Sequence, residues 1–577
     1  MAFSVIRPFQ YVAIQLPSDN IKVEQILPNT VINLGKYGSF RTNQIIGRPY
    51  HLTFEILDRS DVQDGKELRI VSAAELHAAA LVEQADSEEA STPRADGDDS
   101  GASPTPKSNV NTHDDPTIQK LTMLEIEALK QDDMGSGREL IQKIMQSHTA
   151  LDQKTAFSLA KYTLRKQKKH MKRFTVLPFD VPALTDWILA DRDLAKTLEL
   201  RNEIIALVGC WANVHAAGQD SPLLSEMGPS SRYLVVDDTG GLIVSAMAER
   251  MGILHQTNLE GDSAEHEDEE VDGEADQPQA VFPHKPKRQQ YRLSAMSAKS
   301  NSITLIHANQ QPNLALLRYF NFDANNPTPS HPLYTNLKTL SWLQLVDPAS
   351  DTTYREPAVI PAEELAKIKS NKRSAYYRKR RRWERIKSIV DETRAGGFNG
   401  LVVASFSDPI SILRHLVPLL AGGSQVVVYS PNIEPLVQLA DYYFPARRTA
   451  FINTPEDRRC VPSEDFPVDP TLLLPPIVQT ARVRKWQVLP GRTHPLMTGK
   501  GGAEGYIFVG TRVLPAEGKV EGRGRPPRGK KTKTEEKESL VGPDHGDHAP
   551  ESPLKKQKIA TQSTLDDNPE VEIGKEN

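Results

Sequence analysis

Cysteine is nearly absent. Two thiols, Cys210 and Cys460, in 577 residues cannot build a disulfide framework or a cysteine-based zinc site, and such usage points to a reducing compartment. Long apolar runs are missing too. No stretch approaches the ~18 uninterrupted apolar residues of a membrane helix, and the opening "MAFSVIRPFQYVAIQLPSDN" has no apolar core of signal-peptide type. The expectation is a soluble, non-secreted chain with no membrane partner. Apolar residues make up 38% of the sequence, too few for folding throughout, so sizeable segments should lack a core. The length still calls for roughly two to four domains. A net charge of −5 conceals separate blocks of acids and bases.

Those blocks mark the organisation. Residues 1–83 contain "YVAIQLP", "IKVEQIL", "TVINLGKYGSF" and "YHLTFEIL". These short runs, broken by Pro, Asn and Gly about every ten residues, suit a small β-barrel. Residues 84–116 have almost nothing to bury and read as a linker. Residues 117–173 form a basic helical connector, with helices at about 117–131 and 137–173. From 174 to 515 strands alternate with helices, which means an α/β domain with a largely parallel sheet. "GLVVASF" and "SQVVVYSP" are strands of it, and "ARVRKWQVLPGRTHP" with "EGYIFVGTRVLP" reads as a closing antiparallel hairpin. An acidic insertion at about 260–290 interrupts this domain, and 516–577 is a basic tail without core pattern.

One motif asks for a ligand. "YLVVDDTGGLIVSAMAERMG" is an apolar strand, a tight turn and a helix, the order in which a Rossmann-like domain presents its first phosphate or nucleoside loop. Yet Asp238, Gly240 and Gly241 are followed by Leu242, where alternating glycines would let a backbone approach a cofactor. A working S-adenosylmethionine site also needs an acid after the second strand. Taking "MGILHQTN" as that strand, His255, Gln256, Thr257 and Asn258 occupy the position, and no carboxylate comes before Glu260. At the end of the fourth strand stand Ala404, Ser405 and Phe406 instead of a catalytic acid, and Asp408 suits a helix start. Three departures together describe a cofactor-free domain.

Two basic segments suggest a polyanion. "KYTLRKQKKHMKR" sets Arg165, Lys168, Lys169 and Lys172 at helical spacing, with Lys166 and Arg173 beside them, opposed by Phe157, Ala160 and Leu164. "NKRSAYYRKRRRWERIK" holds Arg378, Lys379, Arg380, Arg381 and Arg382 with Tyr376, Tyr377 and Trp383, a mixture that can stack on exposed RNA bases. The bland readings are a solvated helix face and a nuclear-localisation signal. The tail "GRGRPPRGKK", around Arg523 and Arg525, has an AT-hook-like core, and "PLKKQK" near Lys555 reads as a targeting signal.

"LGKYGSF", "KTAFSLAKYTLRKQKKHMKRFTVLP", "DDTGGLIVSAMAERMG" and "WQVLPGRTHPLM…GGAEGYIFVGTRV", in this order, resemble the non-catalytic subunit family of the tRNA adenine-58 N1-methyltransferase over about 5–515. The resemblance implies a β-barrel plus a Rossmann-like methyltransferase domain without cofactor. It implies a homologous catalytic partner that carries S-adenosylmethionine, a two-plus-two heterotetramer, and tRNA as the shared substrate. Catalytic and metal-ligating residues are expected to be absent, and the location nuclear. Alternatives are an active methyltransferase with a divergent pocket, or a nuclear DNA-binding protein that uses its tail.

Overall fold

Strand pleat and helix period sort the chain's apolar residues onto two sheets. A computed structural model describes residues 4–57, 67–76, 120–122, 124–126, 137–148, 156–191, 194–217, 231–255, 298, 300–484, 486–489, 492–495 and 504–514. The expected linker, acidic insertion and basic tail lie outside the described residues.

The N-terminal runs become β1 (Tyr11–Gln15), β2 (Ile21–Gln25), β3 (Val31–Asn33), β4 (Ser39–Arg41), β5 (Thr53–Leu57) and β6 (Glu67–Ile70). One more strand, β7 (Arg173–Pro178), arrives from across the connector and sits in the middle of the antiparallel order β2-β1-β7-β5-β6. The boundary expected at 174 therefore falls inside a strand of the N-terminal sheet. Among the described strands β2 and β6 do not pair, and β3 with β4 forms a separate hairpin. Val12, Ile14, Phe40, Phe54, Phe174 and Val176 fill the space between hairpin and sheet, with Phe174 stacked between Phe40 and Phe54. The single helix expected over 137–173 is two, α1 (Arg138–Gln146) and α2 (Ala156–His170).

The larger sheet holds β8 (Arg232–Asp237), β9 (Ser302–His307), β10 (Leu337–Ser341), β11 (Phe398–Ala404), β12 (Leu420–Ser430) and β13 (Ile477–Gln479). Trp486–Leu489 (β14) and Arg492–Pro495 (β15) form a small hairpin of their own, and β16 (Tyr506–Thr511) returns to the sheet. Its order is β10-β9-β8-β11-β12-β16-β13, with the chain reversing direction across the sheet between β8 and β11. The pairs from β10 to β12 are parallel, and β16 runs antiparallel to both β12 and β13. This is a doubly wound Rossmann-like sheet closed by one reversed strand. The expected closing hairpin is corrected: "GYIFVGT" pairs with β12 and β13, and "WQVL" pairs with the "RTHP" that follows it.

Both faces are covered, which is why the strands read as continuous apolar runs. Tyr233, Val235, Val402, Ala404, Val427 and Tyr429 face α3 (Val181–Asp191), α4 (Asn202–Trp211) and α5 (Leu242–Arg250). Their neighbours Leu234, Val236, Leu401, Val403, Val426 and Val428 face α6 (Ser370–Ala395), α7 (Pro409–Leu416) and α8 (Glu434–Tyr442). The N-terminal sheet joins the first of these cores through Ala13 and Phe179. Tyr319 packs edge-on against Tyr11, Phe179 and Trp187 at that junction.

Candidate functional site: a sealed glycine turn and exposed basic helices

The β8 turn is built as the sequence foretells, and then closed. Gly240 and Gly241 take φ of 76° and 92°, a region that only glycine enters without strain. Gly241 caps α5. The open end of such a helix is an anion site when its donors face a cleft. Here Asp237 faces the donors from inside, 5% exposed. One of its oxygens accepts the Thr239 N–H at 2.7 Å, and the other accepts the Val244 N–H at 3.0 Å. Burial pushes the Asp237 carboxyl above its usual range, while these hydrogen bonds pull it back. From outside, the segment after β9 lies over the turn. The Leu316 N–H donates to the Gly240 carbonyl at 3.0 Å, and a Cβ on Gly241 would meet Leu314 at 3.2 Å. Thr239, Gly240 and Gly241 are all buried.

Asp238 is turned sideways. Its carboxylate accepts the Ser405 hydroxyl at 2.5 Å and the Phe406 N–H at 3.1 Å, and its own N–H donates to the Ala404 carbonyl at 2.9 Å. The two strand ends that would flank a cofactor are thus sewn to each other. The second strand needs a correction. It is Ser302–His307, and Met251–His255 is the turn that ends α5. The residues at the tested position are therefore His307, Ala308, Asn309, Gln310 and Gln311, still without a carboxylate. His307 Nδ1 bonds the Asn309 carbonyl at 2.7 Å, and burial lowers the pKa of the ring. Asp408 is the N-cap of α7, accepting from Ile410 and Ser411 at 3.3 and 3.0 Å. These residues do not fit S-adenosylmethionine: the glycine turn is filled with leucine, and each nearby carboxylate holds backbone. Among the described residues no cluster of His, Cys, Asp or Glu could hold a metal ion, and no helix is long and apolar enough to cross a membrane.

The basic candidates divide on inspection. On α2, Arg165 and Lys169 are exposed, and Lys166 is half-buried with its ammonium 4.9 Å from the Tyr162 ring centre. The side chains of Lys168, Phe157, Ala160 and Leu164 lie outside the described residues. Lys172 and Arg173 fall beyond the helix end at His170. Arg173 has to be corrected. It opens β7 at 9% exposure, paired with Glu75 at 2.7 Å and beside the buried Glu55 at 3.5 Å. Glu55 also pairs with Arg69. Arg173 is a strut of the N-terminal sheet.

On α6 the sequence explains the arrangement. A helix of 26 residues spans about 39 Å, and the seven-residue β11 about 23 Å. The surplus is the arginine-rich half. Ile386, Ile389, Val390 and Thr393 pack under the sheet, while Arg382 and Lys379, one and two turns upstream of Ile386 on the same face, remain in solvent. Arg378 and Arg381 are exposed as well. Arg380 is compensated by Glu384 at 3.3 Å and Glu356 at 3.6 Å. Trp383 is not available for stacking: its Nε1–H donates to the Tyr354 carbonyl at 2.9 Å, and Arg380 and Lys387 cover its ring. Tyr377 is 45% exposed. The packed half of α6 is anchored by Glu392 to Lys338 at 2.7 Å and Arg232 at 3.1 Å. Those residues lie at the starts of β10 and β8, the strand ends opposite the glycine turn.

A family model described as the Gcd10p family matches residues 5–369. The chain belongs to that family. A relative from Aspergillus fumigatus, named tRNA (adenine(58)-N(1))-methyltransferase non-catalytic subunit trm6, is 50% identical, the match covering 94% of this chain and 98% of that one. The Kluyveromyces lactis protein of the same name is 30% identical over 89% of this chain and 87% of its own. Among solved structures, the tRNA (m1A58) methyltransferase TrmI from Aquifex aeolicus aligns with a TM-score of 0.34 at 9% identity, covering 89% of this chain and all of that one. The Rossmann-like fold follows from the strand order itself and does not depend on that superposition.

Proposed function

We propose that this chain is the non-catalytic subunit of a tRNA N1-methyladenosine methyltransferase, holding tRNA beside a homologous catalytic subunit. The observation that carries the reading is the sealed turn: Asp237 inside and Leu314 and Leu316 outside occupy the place a cofactor would need. A Rossmann-like chain so closed keeps the shape of a methyltransferase without its pocket. The names of its relatives agree with that reading.

Adenine N1 lies on the Watson–Crick edge, so the T-loop base must leave its stack before methyl transfer. In this reading the partner binds S-adenosylmethionine and performs the transfer. This chain supplies rigid geometry and positive surface at Arg165, Lys166 and Lys169 and at Arg378, Lys379, Arg381 and Arg382. A two-plus-two assembly is the stoichiometry we favour, from the resemblance of the whole chain to that family. Nuclear location is favoured by the lysine and arginine clusters, which are of the kind import receptors read.

The test has two arms. The catalytic partner should methylate tRNA poorly alone and efficiently once co-purified with this chain. Calorimetry on the isolated chain should show no heat on titration with S-adenosylmethionine, and a micromolar dissociation constant there would return the divergent-enzyme reading.

A further inference from the structure

The first half of α6 projects beyond the large sheet, yet its sequence is poorly suited to stand as a free helix. Ser370 to Trp383 contains Lys372, Arg373, Arg378, Lys379, Arg380, Arg381 and Arg382, and the first acid on α6 is Glu384. Like charges three and four positions apart weaken a helix, and an isolated helix of this length is marginal in water. Support has to come from outside the helix.

It comes from the segment between β10 and α6, which runs along the helix in the opposite direction as a strap. The Tyr354 hydroxyl donates to Asp391 at 2.7 Å, and the Tyr354 carbonyl accepts the Trp383 Nε1–H at 2.9 Å. Two residues on, Glu356 pairs with Arg380 at 3.6 Å. Four further on, the Ile360 N–H donates to the Tyr376 hydroxyl at 3.3 Å. While the strap advances from 354 to 360, its contacts on the helix recede from 391 to 376, a length of about 22 Å. Pro357 and Pro361 fix two of the backbone angles along the way. The base of the strap is fastened as well. Gln344 Nε2, on the short helix Trp342–Val346, donates to Asp351 at 2.7 Å and to Thr353 at 3.1 Å, and Arg355 Nε donates to the Ala349 carbonyl at 3.1 Å.

The strap touches one stripe of α6. Tyr376, Arg380, Trp383 and Asp391 follow one another at four, three and eight residues, a helical spacing that places them on one side. Tyr377, Arg378, Arg381 and Arg382 fall outside that stripe and are exposed, and Lys379 is exposed at its margin. Arg380, the arginine of the run that lies on the stripe, is the one that meets the strap's carboxylate.

We propose that Tyr354, Tyr376 and Trp383 are positioning residues for tRNA, holding the first half of α6 as a preformed helix so that Arg378, Lys379, Arg381 and Arg382 meet RNA phosphates as a fixed array. A cationic segment ordered before binding has no conformational entropy left to lose in the complex, so it binds more tightly than the same charges on a loose chain. The inference rests on the tRNA role proposed for α6 and names the residues through which that role is kept in place.

The test uses the two-subunit complex with Tyr354→Phe, Tyr376→Phe and Trp383→Phe combined. Every cation remains, and the three hydrogen bonds that these side chains make between strap and helix are lost. Backbone hydrogen exchange over residues 372–382 should become faster. The tRNA dissociation constant should rise about ten-fold with an unchanged salt slope, because order is lost and charge is not. The defect should appear in KM, with turnover at saturating tRNA unaltered. Adding Asn371→Ala and Ser374→Ala, which raise helix propensity at exposed positions, should recover most of the affinity without restoring any contact to the strap. Faster exchange with unchanged affinity would overturn the inference, since a loose segment would then serve as well. Unchanged exchange would overturn it too, because the strap would not be what orders the helix. So would a loss of affinity that the two alanines fail to recover, since helical order would then not be what the strap supplies. If reversing Arg378, Lys379, Arg381 and Arg382 to Glu left tRNA affinity intact, the tRNA role of α6 would fall first, whatever the strap variant showed.

Discussion

The turn after β8 and the first half of α6 were both candidate binding elements in the sequence, and the structure treats them in opposite ways. In the turn, Asp237, Asp238, Gly240 and Gly241 all bond to other parts of the chain. On the helix, Arg378, Lys379, Arg381 and Arg382 stand in solvent on an overhang that the sheet is too short to cover. A polar group satisfied internally contributes to the fold, and one left to water remains available to a ligand. The difference assigns stability to the first element and recognition to the second, and each assignment can be broken by substitution.

The largest effect is expected in the turn. Asp237→Ala removes an acceptor from two buried backbone N–H groups and the Thr239 hydroxyl. Each orphaned donor costs about 1–3 kcal/mol, so the three together should cost at least about 3 kcal/mol, enough to unfold a marginal domain. Urea denaturation of the complex measures it. A loss below about 1 kcal/mol would mean that the turn is looser than its geometry and could still admit a ligand.

Reversing Arg378, Lys379, Arg381 and Arg382 to Glu should do the converse. Stability should move by less than about 0.5 kcal/mol, as for exposed sites away from structural features. The tRNA affinity of the complex should fall about a hundred-fold at low salt, and its salt slope should drop by about 0.7 per phosphate no longer neutralised. The matching reversal of Arg165, Lys166 and Lys169 on α2 sharpens the comparison, because Lys166 is partly buried against Tyr162 and should also cost stability. Unchanged affinity in both sets would return the helices to plain solvated faces.

Acid should act on the interior and leave the arginines untouched. His331 is buried, its Nδ1 accepting the Leu333 N–H at 3.2 Å while Nε2 bonds the Phe320 carbonyl at 3.0 Å. Burial holds its pKa below the usual histidine value, and His307 is shifted the same way. The unfolded chain then binds more protons below about pH 6.5, so stability present above that pH is lost as pH falls. Each ring contributes at most about 1.4 kcal/mol per pH unit. His331→Gln should flatten this limb in thermal melts between pH 7 and 5. An unaltered limb would place the acid sensitivity elsewhere.

What the sequence made legible follows the same division. β8, its turn and α5 were readable because a strand, two glycines and a helix are contiguous, and period-2 and period-3.6 patterns need no distant partner. β11 and β12 were readable as apolar runs for the same reason. Pairing was not. β7 lies in the N-terminal sheet because Phe174 and Val176 complete the core around Phe40 and Phe54, residues more than a hundred positions distant in sequence. β16 inserts between β12 and β13, and nothing local in "GYIFVGT" states which strands will flank it. The second strand was misplaced because "MGILH" is apolar enough to pass for a strand, whereas the chain needs it to turn out of α5. Arg173 was grouped with the basic helix by adjacency alone, and the carboxylates that claim it are in β5 and the segment after β6.

The smallest effect belongs to Asp408, the first acid in the chain after the end of the fourth strand. Its carboxylate accepts the Ile410 and Ser411 N–H groups, with Pro409 at the first helical position, where a missing N–H does no harm. This is the chemistry of a helix cap, and Asp408→Ala should cost about 1 kcal/mol of stability. The helix it starts carries Ile412, Leu413 and Leu416 into the core, so the loss should appear in the unfolding midpoint while the fold persists. Methylation by the assembled complex should be unchanged at saturating tRNA, because α7 packs on one face of the sheet and Asp408 makes its hydrogen bonds to that helix. Asp408→Asn, which keeps a capping oxygen, should recover most of the lost stability. A fall in turnover of several orders of magnitude in both variants, with unaltered tRNA affinity, would mean that this carboxylate handles a proton in the reaction, and the chain would have to be read as a second active site.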